Sequence, residues 1–240
     1  MHQEKNQRNI KLHGAYNFRD MGGYAAQEGK TTKWGVIYRA DELSRLSQND
    51  LDILEKLKIK TIIDFRSPGE ASKAPDQKPS TVIKTFSIPV VFGSMDSLLQ
   101  SIDLTGEKFM MQINRSAIEE AQAQFKEFFR IISNSSNLPL IFHCAGGKDR
   151  AGIAAALFLS SIGVDMETIY KDYLLSAELI RKKYSDLAEI NPKLTPSLTV
   201  KKEYLEAAFE TMDKKYGGAE SYLVNQLGVD LHLMRSIYIE

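Results

Sequence analysis

The sequence predicts an α/β fold, a mostly parallel sheet flanked by helices, on three observations. Short apolar runs of strand length (60–65, 81–88 and 140–143) are separated by longer segments of helical period. These two patterns alternate through the first two thirds of the 240 residues, as in a sheet covered on both faces. The last third carries helical patterns alone. The length fits a single domain over 1–240 that can bury its own core.

Taken in order, residues 1–13 are polar and predict a flexible N-terminus. The stretch 17–23 ends in Gly22-Gly23 and reads as a turn. Residues 36–38 predict a short strand. Ser47 starts a helix, with Asp50 three residues on and Leu51, Leu54 and Leu57 on its apolar face. The β-branched run 60–65 predicts a buried strand, ended by Ser67-Pro68-Gly69. Residues 81–88, closed by Pro89, predict another. Residues 90–114 have no clear period and are broken by Gly93 and Gly106; they read as an insertion and a candidate lid. A helix is predicted over 118–132, a strand over 140–143, and an alanine-rich helix reaching about Ser161. Gly163 ends that helix, and Asp165 caps the next, predicted to run to Tyr184. A proline-bearing loop over 191–196 and two or three helices, broken at Gly217-Gly218 and Gly228, complete the chain.

Composition removes several function classes. Basic and acidic residues number 31 each, so the formal net charge is zero, which argues against a nucleic-acid partner. No stretch approaches the ~18 apolar residues of a membrane span, so no stable membrane insertion is expected. The N-terminus has no apolar signal region, which predicts a cytoplasmic protein, or a secreted one if a leader has been removed. Composition sets no oligomeric state. Cys144 is the single cysteine, which excludes an intrachain disulfide framework and leaves a choice between core filler and a reactive thiol.

Its neighbours decide between them. His143-Cys144-Ala145-Gly146-Gly147-Lys148-Asp149-Arg150 lies between a predicted strand and a predicted helix. Ligand sites in open α/β sheets form at the carboxyl ends of strands. With five residues between Cys144 and Arg150, the loop can curl around a tetrahedral oxyanion, its N–H groups turned inward and backed by the helix N-terminus. Gly146 and Gly147 permit the backbone angles that such a cradle needs. A cysteine at a helix N-terminus beside cations favours the nucleophilic thiolate. Arg150 offers a planar fork for two phosphate oxygens, Asp149 can protonate a leaving oxygen, and Lys148 adds charge at the rim. His143 is assigned a supporting role, hydrogen-bonding the loop backbone. An ATP-binding loop is excluded, because that pattern needs glycine at position 142 and Ser or Thr at 149, where Phe142 and Asp149 stand. The competing roles for Asp149 are a salt bridge to Arg150 and a helix cap; for Lys148, plain solvation. Arg19 with Asp20, and Asp64 with Arg66 and Glu70, either line the site or form buried ion pairs around it. Asp64, near a strand end, is the second candidate for the acid.

HCAGGKDRAG (143–152) resembles the HCxxGKDRTG loop of the bacterial tyrosine-phosphatase-like family. NFRDMGGY (17–24), IYRADEL (37–43), IIDFRSPGE (62–70) and IYKDYLLSAE (169–178) resemble four further segments of that family, in order. The resemblance implies a cysteine-phosphatase-like fold with a helical lid, Cys144 as nucleophile, Arg150 as phosphate clamp, and an acid within the loop at Asp149. It associates Lys148 with phosphoinositide-like substrates and implies neither metal nor organic cofactor. The expected partner is a phosphorylated protein or a phosphoinositide. Ala151 departs from the pattern: the family carries Thr or Ser there, a hydroxyl understood to stabilise the departing cysteine. Fast formation and slow hydrolysis of a phosphocysteine are therefore expected. The rival readings are an arsenate reductase or sulfurtransferase on a similar loop, and a phosphate-binding pseudophosphatase with little turnover.

Overall fold

The computed structural model describes residues 7–91 and 106–240. Its sheet has the strand order β1-β2-β5-β3-β4, where β1 is Arg19–Asp20, β2 Ile37–Ala40, β3 Thr61–Asp64, β4 Lys84–Ser87 and β5 Leu140–His143. Only β1 runs antiparallel; the other four strands are parallel. The predicted apolar runs thus became strands, and β5, the most apolar, took the centre, where both faces are covered. Alternation along β5 separates two cores. Leu140 and Phe142 enter the larger one, with Phe65, Phe128 and Phe158, whereas Ile141 enters the smaller one, with Tyr38, Leu54 and Ile62.

Helix α1 (Gln48–Lys56) opens with the predicted Ser47 cap, reciprocated by Asp50 in a capping box. The stretch expected only to end β3 also begins a helix, α2 (Pro68–Lys73): Ser67 caps it, Pro68 occupies its first turn, and Glu70 closes a second capping box. Helix α3 is Glu107–Glu120 and α4 is Gln122–Ile132, so the single helix expected over 118–132 is two, parted at Ala121. Helix α5 (Arg150–Ser161) matches expectation; its alanines 151 and 154–156 are buried, and their small side chains let the helix lie close beneath the sheet. Helix α6 (Met166–Leu179) stops short of Tyr184, and α7 (Arg181–Ile190) follows after a break at Ile180. The loop expected over 191–196 instead contains helical turns, including α8 (Thr195–Leu198). Helices α9 (Lys202–Tyr216), α10 (Ala219–Ser221) and α11 (Leu231–Tyr238) complete the chain, separated at the predicted glycines. Gly217, Gly218 and Gly228 all have positive φ.

Residues 1–6 of the expected flexible N-terminus lie outside the described residues. Residues 8–14 are held. Asn9 bridges Arg19, the Arg8 guanidinium lies 3.5 Å from the Tyr24 ring centre, and the His13 and Gly14 amides donate to Asp50. Most of the expected insertion, 92–105, also lies outside the described residues; 107–114 belong to α3.

Candidate active site

Strand register brings the predicted residues to one edge. Ala40, His143 and Asp64 are paired across β2, β5 and β3, so the chain after each strand emerges side by side at the carboxyl end of the sheet. Cys144 follows β5 directly and is buried. The loop then curls back, and the Gly147 N–H donates to Cys144 Sγ at 3.2 Å. Gly147 has φ of +65°, and a Cβ there would lie 2.5 Å from the Ala40 carbonyl oxygen, so this position admits only glycine.

The loop is shaped from behind. Asn17 Nδ2 donates to the Gly146 carbonyl at 3.1 Å, and Arg39 Nη2 donates to the Gly147 carbonyl at 2.7 Å. In a trans peptide the C=O and the next N–H point in opposite directions. Fixing these two carbonyls outward therefore aims the N–H groups of Gly147 and Lys148 inward, and the Gly147 bond to Sγ shows that direction. The first intrahelical bond of α5 joins the Ile153 N–H to the Asp149 carbonyl, so the amides of residues 150–152 at the loop's end are not spent within the helix. The result is a preformed nest for a tetrahedral anion.

Arg39 is itself held. Its Nη1 meets Asp172 at 2.7 Å, and the other oxygen of Asp172 takes Arg19 Nε at 2.8 Å and the Tyr24 hydroxyl at 2.6 Å. Burial acts to raise the Asp172 pKa, but Arg19 and Arg39 outweigh it and hold this carboxyl well below the usual carboxylate range. Arg19 does not pair with Asp20. The two are consecutive in β1 and project to opposite faces, and Asp20 instead accepts the Gly22 and Gly35 amides.

Arg150 stands across the loop from this anchor. Its two terminal nitrogens donate to the two oxygens of Glu70, each at 2.7 Å, a bidentate pair that presets the guanidinium plane. Glu70 is positioned by its capping bond from the Ser67 amide. The hydrogen bonds from Arg150, acting against burial, draw Glu70 down to about 2. Burial alone would lower Arg150, but Glu70 and Cys144 hold it above its ordinary value.

Asp149 precedes α5 without capping it by its side chain, and it does not pair with Arg150. One oxygen, Oδ2, takes Lys148 Nζ at 2.6 Å; the other, Oδ1, is buried with no hydrogen-bond partner. Lys148 is accordingly buried and paired rather than solvated. His143 does not bond the loop backbone: its Nε2 lies 3.0 Å from Asp76 and 3.8 Å from Asp64. Asp64 and Asp76 are bridged by Arg66, at 2.8 and 2.7 Å, and Arg66 also donates to the Ala74 carbonyl. These residues form a buried ionic brace, in which both oxygens of Asp64 are engaged by Arg66. Asp64, Asp76 and His143 include atoms close enough to share a metal ion, but Arg66 already supplies the cation between the carboxylates.

Beside Arg150 lies a cavity of about 290 Å³. Val90, Val91 and Ile113 give it an apolar lining, alongside Ser67, Glu70, Asp149 and Arg150. Sequence reasoning placed Glu70 with Asp64 and Arg66 and assigned nothing to Asn17, Arg39 or Asp172. The Ser67-Pro68-Gly69-Glu70 capping signal was the one local clue to where Glu70 points.

The profile of the tyrosine phosphatase family matches residues 10–240. The chain belongs to this family. A Cupriavidus necator protein that carries a tyrosine-protein phosphatase name is 31% identical, over 93% of this chain and 85% of its own length. The triple specificity protein phosphatase PtpB of Mycobacterium tuberculosis is 27% identical, over 89% of this chain and 92% of its own. Among solved structures, the core catalytic domain of the PP-IP phosphatase SIW14 from S. cerevisiae matches at 18% identity and a TM-score of 0.38, covering 73% of this chain and 94% of that domain. This family member is a hydrolase acting on phosphorylated substrates. No helix among its described residues is long and apolar enough to cross a membrane.

Proposed function

We propose that the enzyme hydrolyses phosphomonoesters through a phosphocysteine intermediate formed on Cys144. The substrate phosphate enters the nest of loop amides. Cys144 Sγ attacks phosphorus while the bond to the leaving oxygen breaks, and Asp149 gives that oxygen its proton. Arg150 and the inward amides of the loop carry the charge of the equatorial oxygens. Water then attacks phosphorus, the Asp149 carboxylate accepts its proton, the S–P bond breaks, and orthophosphate leaves. The observation that carries this reading is the preformed nest: carbonyls fixed outward, and an amide donating to the thiol at 3.2 Å. The orphaned Oδ1 of Asp149 supports the acid role, since it is the atom left to meet a leaving oxygen.

The apolar lining beside Arg150 suits the ring of phosphotyrosine, and phosphotyrosine is the first substrate we assign. Phosphoserine, phosphothreonine and phosphoinositide monoesters share the same dianion and are the wider class. Lys148, buried and paired with Asp149, holds the acid in place instead of standing free at the rim for a second anionic group. No cofactor has a part in these steps.

The test is single-turnover and steady-state hydrolysis of p-nitrophenyl phosphate by the wild type and Cys144→Ser. Covalent catalysis requires wild-type turnover that the serine variant loses while still binding orthophosphate. Orthophosphate binding with no turnover by the wild type would establish the pseudophosphatase instead.

A further inference from the structure

Asn17 and Arg39 fix two loop carbonyls; a third, that of Ala145 beside the nucleophile, is fixed from α7. Lys183 Nζ donates to the Ala145 carbonyl at 2.9 Å, and it lies 2.7 Å from Asp41 Oδ2 and 3.3 Å from Glu42 Oε1. An ammonium has three N–H donors, and these three acceptors occupy all of them. The Lys183 side chain is only 13% exposed and Asp41 is fully buried, so this is not a solvated surface pair. The other oxygen of Asp41 accepts the amides of Tyr16 and Asn17, the residue that holds the Gly146 carbonyl. Lys183 thus joins α7 to the same scaffold that shapes the loop. The next residue confirms how closely α7 approaches: a Cβ on Gly146 would lie 3.1 Å from the Tyr184 hydroxyl.

We propose that Lys183 is a positioning residue for the catalytic loop, and that α7 is a structural part of the anion nest rather than a cover laid over it. The assignment rests on the phosphatase reading given above. The physical argument is that of the trans peptide: with the Ala145 carbonyl held outward, the Gly146 N–H faces the bound anion. Without the ammonium, only the Glu42 amide, at 3.3 Å, still holds that carbonyl, and the Asp41 carboxylate is left buried beside it. The Ala145–Gly146 peptide, held by that one long bond, can then turn, and the nest loses one fixed donor to ground state and transition state alike.

The experiment compares the wild type, Lys183→Met and Lys183→Arg. It measures kcat and KM for p-nitrophenyl phosphate, orthophosphate affinity by calorimetry, and circular dichroism at the assay temperature. Loss of one donor predicts a fall in kcat/KM of about tenfold or more, and a comparable loss of orthophosphate affinity, in folded Lys183→Met. Lys183→Arg, which keeps charge and donors, recovers both to within about threefold. Wild-type orthophosphate affinity in Lys183→Met, or losses that only track an unfolded fraction, would overturn the assignment. If the methionine variant does not fold, Lys183→Gln, an uncharged donor, is read by the same thresholds. The binding arm is independent of turnover. A wild type that binds orthophosphate without hydrolysing ester sinks the catalytic reading, while Lys183 is still judged on the affinity ratio.

Discussion

Ala151 follows Arg150 in the first turn of α5 and is fully buried, so this position offers the sulfur no hydroxyl when it must leave phosphorus. Stopped-flow traces with p-nitrophenyl phosphate should show a burst of one product per enzyme, then slower turnover. Ala151→Ser restores the hydroxyl at the smallest added volume. It should raise steady-state kcat by about 3- to 10-fold, which is about 0.6–1.4 kcal/mol of barrier, and shrink the burst. Traces linear from the first milliseconds in both proteins would refute this. A second residue tests the clamp. Removing the charge in Glu70→Gln leaves Arg150 without its bidentate partner, and kcat/KM should fall by about tenfold. Glu70 also links folding to pH. Its folded value of about 2 lies below the ordinary 4.5, so its stabilising contribution is present above about 4.5 and is lost as pH falls through about 2. The stability gap between wild type and Glu70→Gln should be level above pH 5 and close below it, as urea titrations at each pH would show; a gap widening on acidification would contradict the pairing. At this scale the sequence singled out Cys144 and Arg150, because the two stand in one short loop whose spacing suits an oxyanion. It grouped Glu70 with Asp64 and Arg66 but did not pair it with Arg150, because the partner of a carboxylate 80 residues away is set by folding.

Elements were legible where their signals were local. Strand β5 and helix α5 lie where the apolar run and the alanine-rich period put them, since nothing outside competes with a fully buried pattern. The break between α3 and α4 at Ala121 carries no glycine or proline, so the pattern gave no mark of it. Helix α2 went unrecognised for a different reason: Pro and Gly after β3 read as a terminator, although Pro at a first turn behind a Ser cap equally starts a helix. This cap separates stability from catalysis. Ser67→Ala deletes the hydroxyl that accepts the Glu70 amide but keeps the Ser67 N–H that holds the Glu70 carboxylate. It should cost about 1 kcal/mol in urea unfolding while kcat/KM changes by less than about threefold. A tenfold loss of kcat/KM would mean that the hydroxyl, not the backbone, sets Glu70 and with it Arg150.

At the scale of the molecule, one buried carboxylate joins parts that the sequence keeps far apart. Arg19 and Arg39 face each other directly across the β1–β2 pair, an arrangement of like charges that is unfavourable by itself. Asp172, from α6, lies between them, with Arg19 Nε at 2.8 Å and Arg39 Nη1 at 2.7 Å. The helical last third of the chain is therefore what makes the sheet edge tolerable, and Arg39 in turn holds the Gly147 carbonyl of the loop. The sequence pattern read 17–23 as a turn, where the structure has β1, and ended the next strand at Tyr38, so it placed neither arginine in a strand, and a salt bridge spanning 153 residues leaves no trace in hydrophobic period. Asp172→Asn leaves two buried guanidinium groups without their counter-charge, which should destabilise the fold by about 3–5 kcal/mol at pH 7. The sign of its pH dependence follows from the depressed folded pKa. The Asp172 contribution is intact above its ordinary unfolded value near 3.8 and is lost as pH falls below it. Urea unfolding at a series of pH values should therefore show wild type and Asp172→Asn converging on acidification below about pH 4. Curves that stay parallel down to pH 2 would mean that Asp172 does not titrate between the states, and that its contribution is one of shape rather than charge.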